Sequence, residues 1–149
     1  IEVHPAYAAL LLVAGIVCIY VQYDVDTQRT NFRTYFTKDH GFLIWGKQAT
    51  YVTAHYTTTD GAKHTSLLLT SGWWGVSRHI NYFFELLFTL LWVPPVQFDH
   101  VLPYSYLIFL TGLLLHRLIR DEERCAKKYG EAYVAYVKAV PNYILPRLW

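Results

Sequence analysis

The chain has 149 residues, enough for one domain with a sizeable core, and 54% of it is apolar and 17% aromatic. Its 13 Lys and Arg against 11 Asp and Glu leave a net charge of +2 with no basic run, which argues against nucleic acid as a partner. Mean hydropathy is positive, tilting the class toward membrane proteins, and the two cysteines, Cys18 and Cys125, lie too far apart in context for a disulfide scaffold and in no metal-binding spacing.

The chain begins at Ile1 and contains no Met, so it reads as the C-terminal part of a longer protein. Its apolar start lacks the basic flank and small-residue cleavage site of a signal peptide. Residues 6–23 carry no charge; at about 1.5 Å per residue they span roughly 27 Å, close to the ~30 Å hydrocarbon core of a bilayer. Arg29 and Arg33 follow this run. Four residues apart, they put two guanidinium forks on one helix face, which suits a phosphate; anchoring of the cytoplasmic helix end accounts for them equally well. Residues 50–57 and 63–69 are β-branched and aromatic runs, and Thr59-Asp60-Gly61 between them signals a hairpin turn, so a small β-hairpin is expected on the membrane surface.

From Leu67 the chain passes out of the strand-like run, through Ser71-Gly72-Trp73-Trp74-Gly75, into Arg78-His79-Ile80-Asn81-Tyr82. A core needs no such order of residues, but a site that grips a polar, planar ligand at a membrane surface does. The tryptophans read either as a stacking face for a base or nicotinamide or as an interfacial belt. Two further apolar runs, 80–93 and 101–115, flank Pro94-Pro95-Val96-Gln97-Phe98-Asp99-His100, which reads as a turn between two short helices. Glu85 is the only charge in residues 80–98, either a functional group or a side chain that snorkels to the interface. After residue 116 strong helix formers run to Gly130, a C-terminal cap. Arg117, Asp121, Cys125 and Tyr129 then share one face. They are placed to hydrogen-bond the ribose or amide of a nucleotide, or simply form a salt-bridged helix end. Glu122, Glu123 and Lys127 are expected on solvated faces.

All Lys and Arg fall in residues 29–78 and 117–147, and none in 1–28 or 79–116, so by the positive-inside rule both basic blocks face the cytoplasm. The expected fold is mainly α and multi-pass: a transmembrane helix over 6–23, a cytoplasmic segment with a hairpin over 24–79, a membrane hairpin over 80–116 and a cytoplasmic, cofactor-binding tail with an amphipathic helix over 117–149.

Four spaced motifs occur in order: Ser71-Gly72-Trp73-Trp74-Gly75, Arg78-His79-x-Asn81-Tyr82, His116-Arg117-x-x-Arg120-Asp121-Glu122-x-x-Cys125-x-x-Lys128-Tyr129-Gly130, and Val140-Pro141 with Pro146. Together they resemble the C-terminal half of the sterol reductases, multi-pass membrane enzymes that reduce a sterol double bond with NADPH. The resemblance runs from about residue 20 to residue 149. Trp45-Gly46, Tyr56-Thr57-Thr58-Thr59 and the Thr65 to Gly75 stretch are most similar to the Δ7 branch. The Δ14 branch has Pro at the position of Ile80 and Leu-Gly-Asp where this chain has Phe83-Phe84-Glu85. Tyr133, in place of the usual Trp, and Asn142-Tyr143, in place of Tyr-Arg, depart from the family pattern. Arg29 replaces the Lys of animal members.

The resemblance implies NADPH contacts at Arg29, Arg33, Leu69, Trp74, Asn81, Tyr82, Asp121, Cys125, Tyr129 and Tyr136. It implies reduction of the C7–C8 bond of a 7-dehydrosterol in sterol biosynthesis, with Δ14 and Δ24 reduction as alternatives. Asp121 and Tyr82 are the expected catalytic residues, with Glu85 a third candidate for the proton donor, and no metal is expected. The substrate would come from the bilayer, and N-terminal helices of the same protein would complete its pocket. The membrane would be the endoplasmic reticulum in a eukaryote or the inner membrane in a bacterium. Two rivals share parts of the pattern. Isoprenylcysteine carboxyl methyltransferases, which bind S-adenosylmethionine, have a similar tail but carry Pro after the His and lack the Leu-Leu-Leu-Thr-Ser-Gly-Trp-Trp-Gly stretch. A sterol-binding scaffold of the lamin B receptor type would be non-enzymatic.

Overall fold

A computed structural model describes residues 3–96, 99–145 and 147; Pro146, Gln97 and Phe98 lie outside the described residues. Helix α1 (Pro5–Tyr35) opens on Pro5, whose missing N–H costs nothing at this position, and the His4 ring accepts from Ala6 N–H at 3.3 Å. At about 1.5 Å per residue its 31 residues extend for ~46 Å. The helix therefore runs twelve residues past the apolar run that ended at Tyr23, and Arg29 and Arg33 lie on it rather than after it. No Gly or Pro interrupts residues 24–35, and Val25 and Phe32, two turns apart and both 0% exposed, give this extension an inward stripe.

Strands β1 (Leu43–Ile44) and β2 (Lys47–Gln48) form a short hairpin about Trp45 and Gly46, both at positive φ, the condition for a tight two-residue turn. Strands β3 (Tyr51–Thr57) and β4 (Lys63–Leu69) pair antiparallel from Tyr51 with Leu69 to Thr57 with Lys63. Their turn holds Gly61 at φ +78 and is closed by Thr58 N–H donating to Ala62 O at 3.0 Å. This is the hairpin expected from the two β-branched and aromatic runs and the Thr59-Asp60-Gly61 turn.

A one-turn helix, α2 (Trp73–Val76), leads into α3 (Ile80–Leu91) and a 3-10 turn at Pro94–Val96. Helix α4 (Leu102–Tyr129) and helix α5 (Glu131–Ala139) meet at Gly130, whose φ of +54 lets the chain reverse without a Cβ clash. The expected break at 116 is absent: α4 is one 28-residue helix, because the buried stripe Leu110, Leu114 and Leu118 crosses that boundary without a breaker.

Among the described residues α1 and α4 are long and apolar enough to cross a membrane. Their apolar windows are only 11% and 17% buried, so most of that surface, Leu12, Ile16, Tyr20, Ile108 and Phe109 among it, faces outward. Helix α3, ~18 Å long, is shorter than a bilayer core and packs against α1, where Gly15 lets the Phe88 ring approach. Three buried clusters surround one end of this bundle. One joins Val25, Phe32, Ile44, Leu69, Trp74 and Ile80; the second joins Tyr82, Leu110, Leu114, Leu118 and Ile144; the third joins Tyr133, Tyr136 and Val140, packed against Val52 and Leu68.

Candidate functional site

The Gly-Trp-Trp-Gly turn fixes one wall. Gly72 has φ +64, and a Cβ there would collide with the Gln28 side chain and come within 2.6 Å of Ile44. A Cβ on Gly75 would lie 2.7 Å from the Thr70 carbonyl, so both positions require glycine. The tight turn lets Trp73 N–H donate to Gln28 Oε1 at 2.9 Å and Trp73 Nε1–H to Asp24 Oδ2 at 2.7 Å. Trp74 Nε1–H donates to Val25 O at 2.9 Å. Trp74 is only 4% exposed, and the Arg29 guanidinium sits 4.2 Å from its ring centroid. An interfacial belt is therefore excluded for Trp74: its ring is packed inside the protein.

Arg78, 3% exposed, fastens the opposite wall. Its Nε and Nη2 donate to the two oxygens of Glu122 at 3.0 and 3.2 Å, and Nη1 donates to Val140 O at 2.6 Å and Pro141 O at 3.1 Å. The same guanidinium lies 4.2 Å above the Tyr143 ring. Backbone bonds from Arg78 N–H to Asn142 O and from His79 N–H to Tyr143 O complete the junction. Glu122 also meets His79 Nε2 at 3.1 Å, and Tyr133 lines the cavity with it. The sequence reading that placed Glu122 on a solvated face is corrected here. Leu110, Leu114 and Leu118 repeat every four residues, and Glu122 is the next step of that buried stripe.

Between these walls lies a cavity of about 260 Å³. All ten residues expected to contact a nucleotide line it. Arg29 and Arg33 come from α1, Leu69 from β4, Trp74 from α2, Asn81 and Tyr82 from α3, Asp121, Cys125 and Tyr129 from α4, and Tyr136 from α5. Arg78, His79, Arg117, Glu122 and Tyr133 line it as well. The sequence reading placed Arg78 and His79 in the ligand-gripping stretch without giving them a contact and set Arg117 on the α4 stripe, but left Glu122 and Tyr133 out of the site. Their placement depends on contacts 43 or more residues apart, which local periodicity does not encode.

Four guanidinium groups face two carboxylates, and Glu122 is already matched by Arg78. Arg29 approaches Asp26 only at 3.9 Å and Arg117 approaches Asp121 only at 3.8 Å, so the cavity carries excess positive charge with donors to spare. Burial, together with the Glu122 carboxylate, pushes the Tyr133 phenol well above its ordinary range; burial pushes Tyr136 up to about 12. Both remain neutral donors. Tyr82, 5% exposed, stacks on His79 and shares the cavity wall with Asp121. The Asn81 Oδ1 is buried without a partner, an acceptor left for a ligand. Such a lining suits a phosphorylated, aromatic, amide-bearing molecule.

Glu85 lies elsewhere. One turn along α3 from Tyr82, it borders a second cavity of about 690 Å³ between α1, α3 and α4, beside Phe88, Trp92, Tyr106 and Leu110. It is half-buried among helices rather than in the first cavity. Cys18 and Cys125 are both free thiols.

Residues 1–149 match the sequence profile of the Ergosterol biosynthesis ERG4/ERG24 family. The chain is 46% identical to 7-dehydrocholesterol reductase of Arabidopsis thaliana over 149 residues, all of this chain and 34% of the relative. It is 40% identical to 7-dehydrocholesterol reductase of Danio rerio over the same 149 residues, 30% of that protein. It is 43% identical to the Delta(14)-sterol reductase of Methylotuvimicrobium alcaliphilum over 115 residues, 77% of this chain and 25% of the relative. The chain thus spans about a third or less of the length of these curated relatives.

Proposed function

The chain belongs to the Ergosterol biosynthesis ERG4/ERG24 family, and from that premise we propose that the protein containing it reduces a sterol ring double bond with NADPH, at C7–C8 of a 7-dehydrosterol. The observation that supports this most is the convergence of the ten residues, drawn from six separate elements, on one cationic cavity lined by aromatic rings.

The lining fits the nucleotide. Arg29, Arg33 and Arg117 suit its phosphates, the Trp74 and Tyr136 rings its flat parts, and the unpaired Asn81 Oδ1 an amide or hydroxyl donor. When bound, NADPH supplies a hydride to the sterol. The chain's own part is to orient both partners, exclude water and deliver a proton to the other alkene carbon, so that one proton and one hydride saturate the bond. Tyr82 and Asp121, both in the cavity wall, are our candidates for that proton. The outward apolar faces of α1 and α4 fit a multi-pass protein whose substrate arrives from the bilayer, in the endoplasmic reticulum or a bacterial inner membrane, and whose N-terminal helices complete the pocket.

The choice of C7–C8 rests on the relatives of that name that align over the whole chain; the Delta(14)-sterol reductase aligns over 115 residues. Family membership displaces the methyltransferase reading. The test is the full-length protein in membranes with 7-dehydrocholesterol and NADPH, followed by loss of the conjugated-diene absorbance and by product mass. NADPH-dependent loss of the diene is the expected result. Consumption of a Δ14 or Δ24 sterol instead moves the bond, and sterol binding without turnover makes the protein a scaffold.

A further inference from the structure

The route from Arg78 to Tyr82 passes through two residues that no nucleotide contact requires. Glu122 receives Arg78 Nε and Nη2 in a two-pronged ion pair, and its Oε1 also meets His79 Nε2 at 3.1 Å. A carboxylate offers only acceptors, so the proton of that last bond lies on Nε2, which fixes the tautomer and the ring plane of His79. The His79 ring is stacked on Tyr82, with centroids 5.0 Å apart and planes 17° from parallel. Tyr82 in turn lines the cavity with Asp121 and has Arg117 6.0 Å from its ring centroid. Glu122 itself is fixed by the Arg78 junction with Val140 and Pro141.

We infer that His79 and Glu122 are positioning residues for Tyr82: Glu122 sets the His79 ring, and the stacked ring sets the plane in which the Tyr82 phenol faces the cavity. This rests on the function proposed above, and it adds two residues that act through another rather than on the substrate. The carboxylate must be ionised and the ring flat, but the imidazole need not exchange a proton. A phenyl ring at position 79 keeps the stack and loses only the bond to Glu122, whereas alanine loses both.

The experiment is a double-mutant cycle in the full-length protein in membranes, with abundance checked for every variant. His79→Ala is expected to lower kcat on the order of ten- to a hundredfold with little change in the KM for NADPH, as misplacement of a reacting group does. His79→Phe is expected to recover a large part of that loss. In a Tyr82→Phe background, His79→Ala is expected to cost almost nothing more. Full multiplication of the two effects, or no rescue by phenylalanine at normal abundance, overturns the inference. If the wild type turns over no sterol, the function proposed above fails first, and the same cycle is read from the dissociation constant of NADPH: coupled effects of His79 and Tyr82 uphold the positioning and independent ones overturn it. A wild type that neither turns over nor binds the nucleotide overturns both.

Discussion

Asp121 and the arginines around it divide the work of the cavity. Asp121 lines the cavity beside Tyr82 and is 3.8 Å from Arg117, and the function proposed above gives it a proton to hold or pass. Asp121→Asn keeps the shape and removes the charge. It is expected to lower turnover by roughly 10²–10⁴-fold, the range of a lost acid–base group, while NADPH affinity changes far less; wild-type turnover in a normally abundant variant contradicts that role. Arg33 faces the cavity beside Arg29, with no close carboxylate among the described residues. Arg33→Ala is expected to raise the NADPH dissociation constant about ten- to a hundredfold, the value of a charge-assisted hydrogen bond, and to flatten its salt dependence, as ligand titrations at two ionic strengths will register. The bond from Arg78 to Glu122 has a different purpose: both groups are largely buried and matched to each other, so their contribution is to geometry rather than to the ligand.

At the scale of elements, Arg78 ties the start of α3 to α4 and to the segment after α5, beside the apolar cluster of Tyr82, Leu110, Leu114, Leu118 and Ile144. Arg78→Ala leaves the Glu122 carboxylate buried and unmatched, and is expected to destabilise the fold by about 3–5 kcal/mol, seen as a lower thermal midpoint of the detergent-solubilised full-length protein. Helix α5 carries a pH dependence of its own. The Tyr136 phenol is raised from 10.0 to about 12 in the fold. Above about pH 10 the unfolded chain therefore loses its proton first. Stability is complete below that pH and declines as pH rises toward 12. Thermal unfolding across this range is expected to show the decline, and Tyr136→Phe to reduce it; an unchanged profile in the variant assigns the decline to other groups.

Elements whose signal is local were legible in the sequence. The β3–β4 hairpin followed from its β-branched and aromatic runs and Thr59-Asp60-Gly61, and the Arg117, Asp121, Cys125 and Tyr129 stripe from four-residue spacing. Helix ends were read short, because hydropathy marks where a helix is greasy rather than where it stops: α1 continues to Tyr35 on Val25 and Phe32, and α4 runs through residue 116 on Leu114 and Leu118. Glu122 was misread for the same reason, since a charge at the end of an apolar stripe looks solvated until the arginine from 44 residues away arrives.

Across the whole molecule, the two basic blocks meet: Arg29, Arg33 and Arg78 from the first and Arg117 from the second line one cavity at one end of the long helices. The apolar faces of α1 and α4 extend away from it, and α3 joins it to the second cavity that Glu85 borders. That layout puts a cationic cavity and a largely apolar one on either side of one short helix, as the function proposed above requires. The most direct test is isotopic: the full-length protein in membranes is given 7-dehydrocholesterol with NADPH deuterated at the transferring position of the nicotinamide. The expected product is a sterol with the diene lost and one deuterium on a ring carbon, its partner hydrogen coming from solvent. A reduced sterol without that deuterium, or no reduced sterol at all, contradicts hydride delivery from NADPH at this cavity.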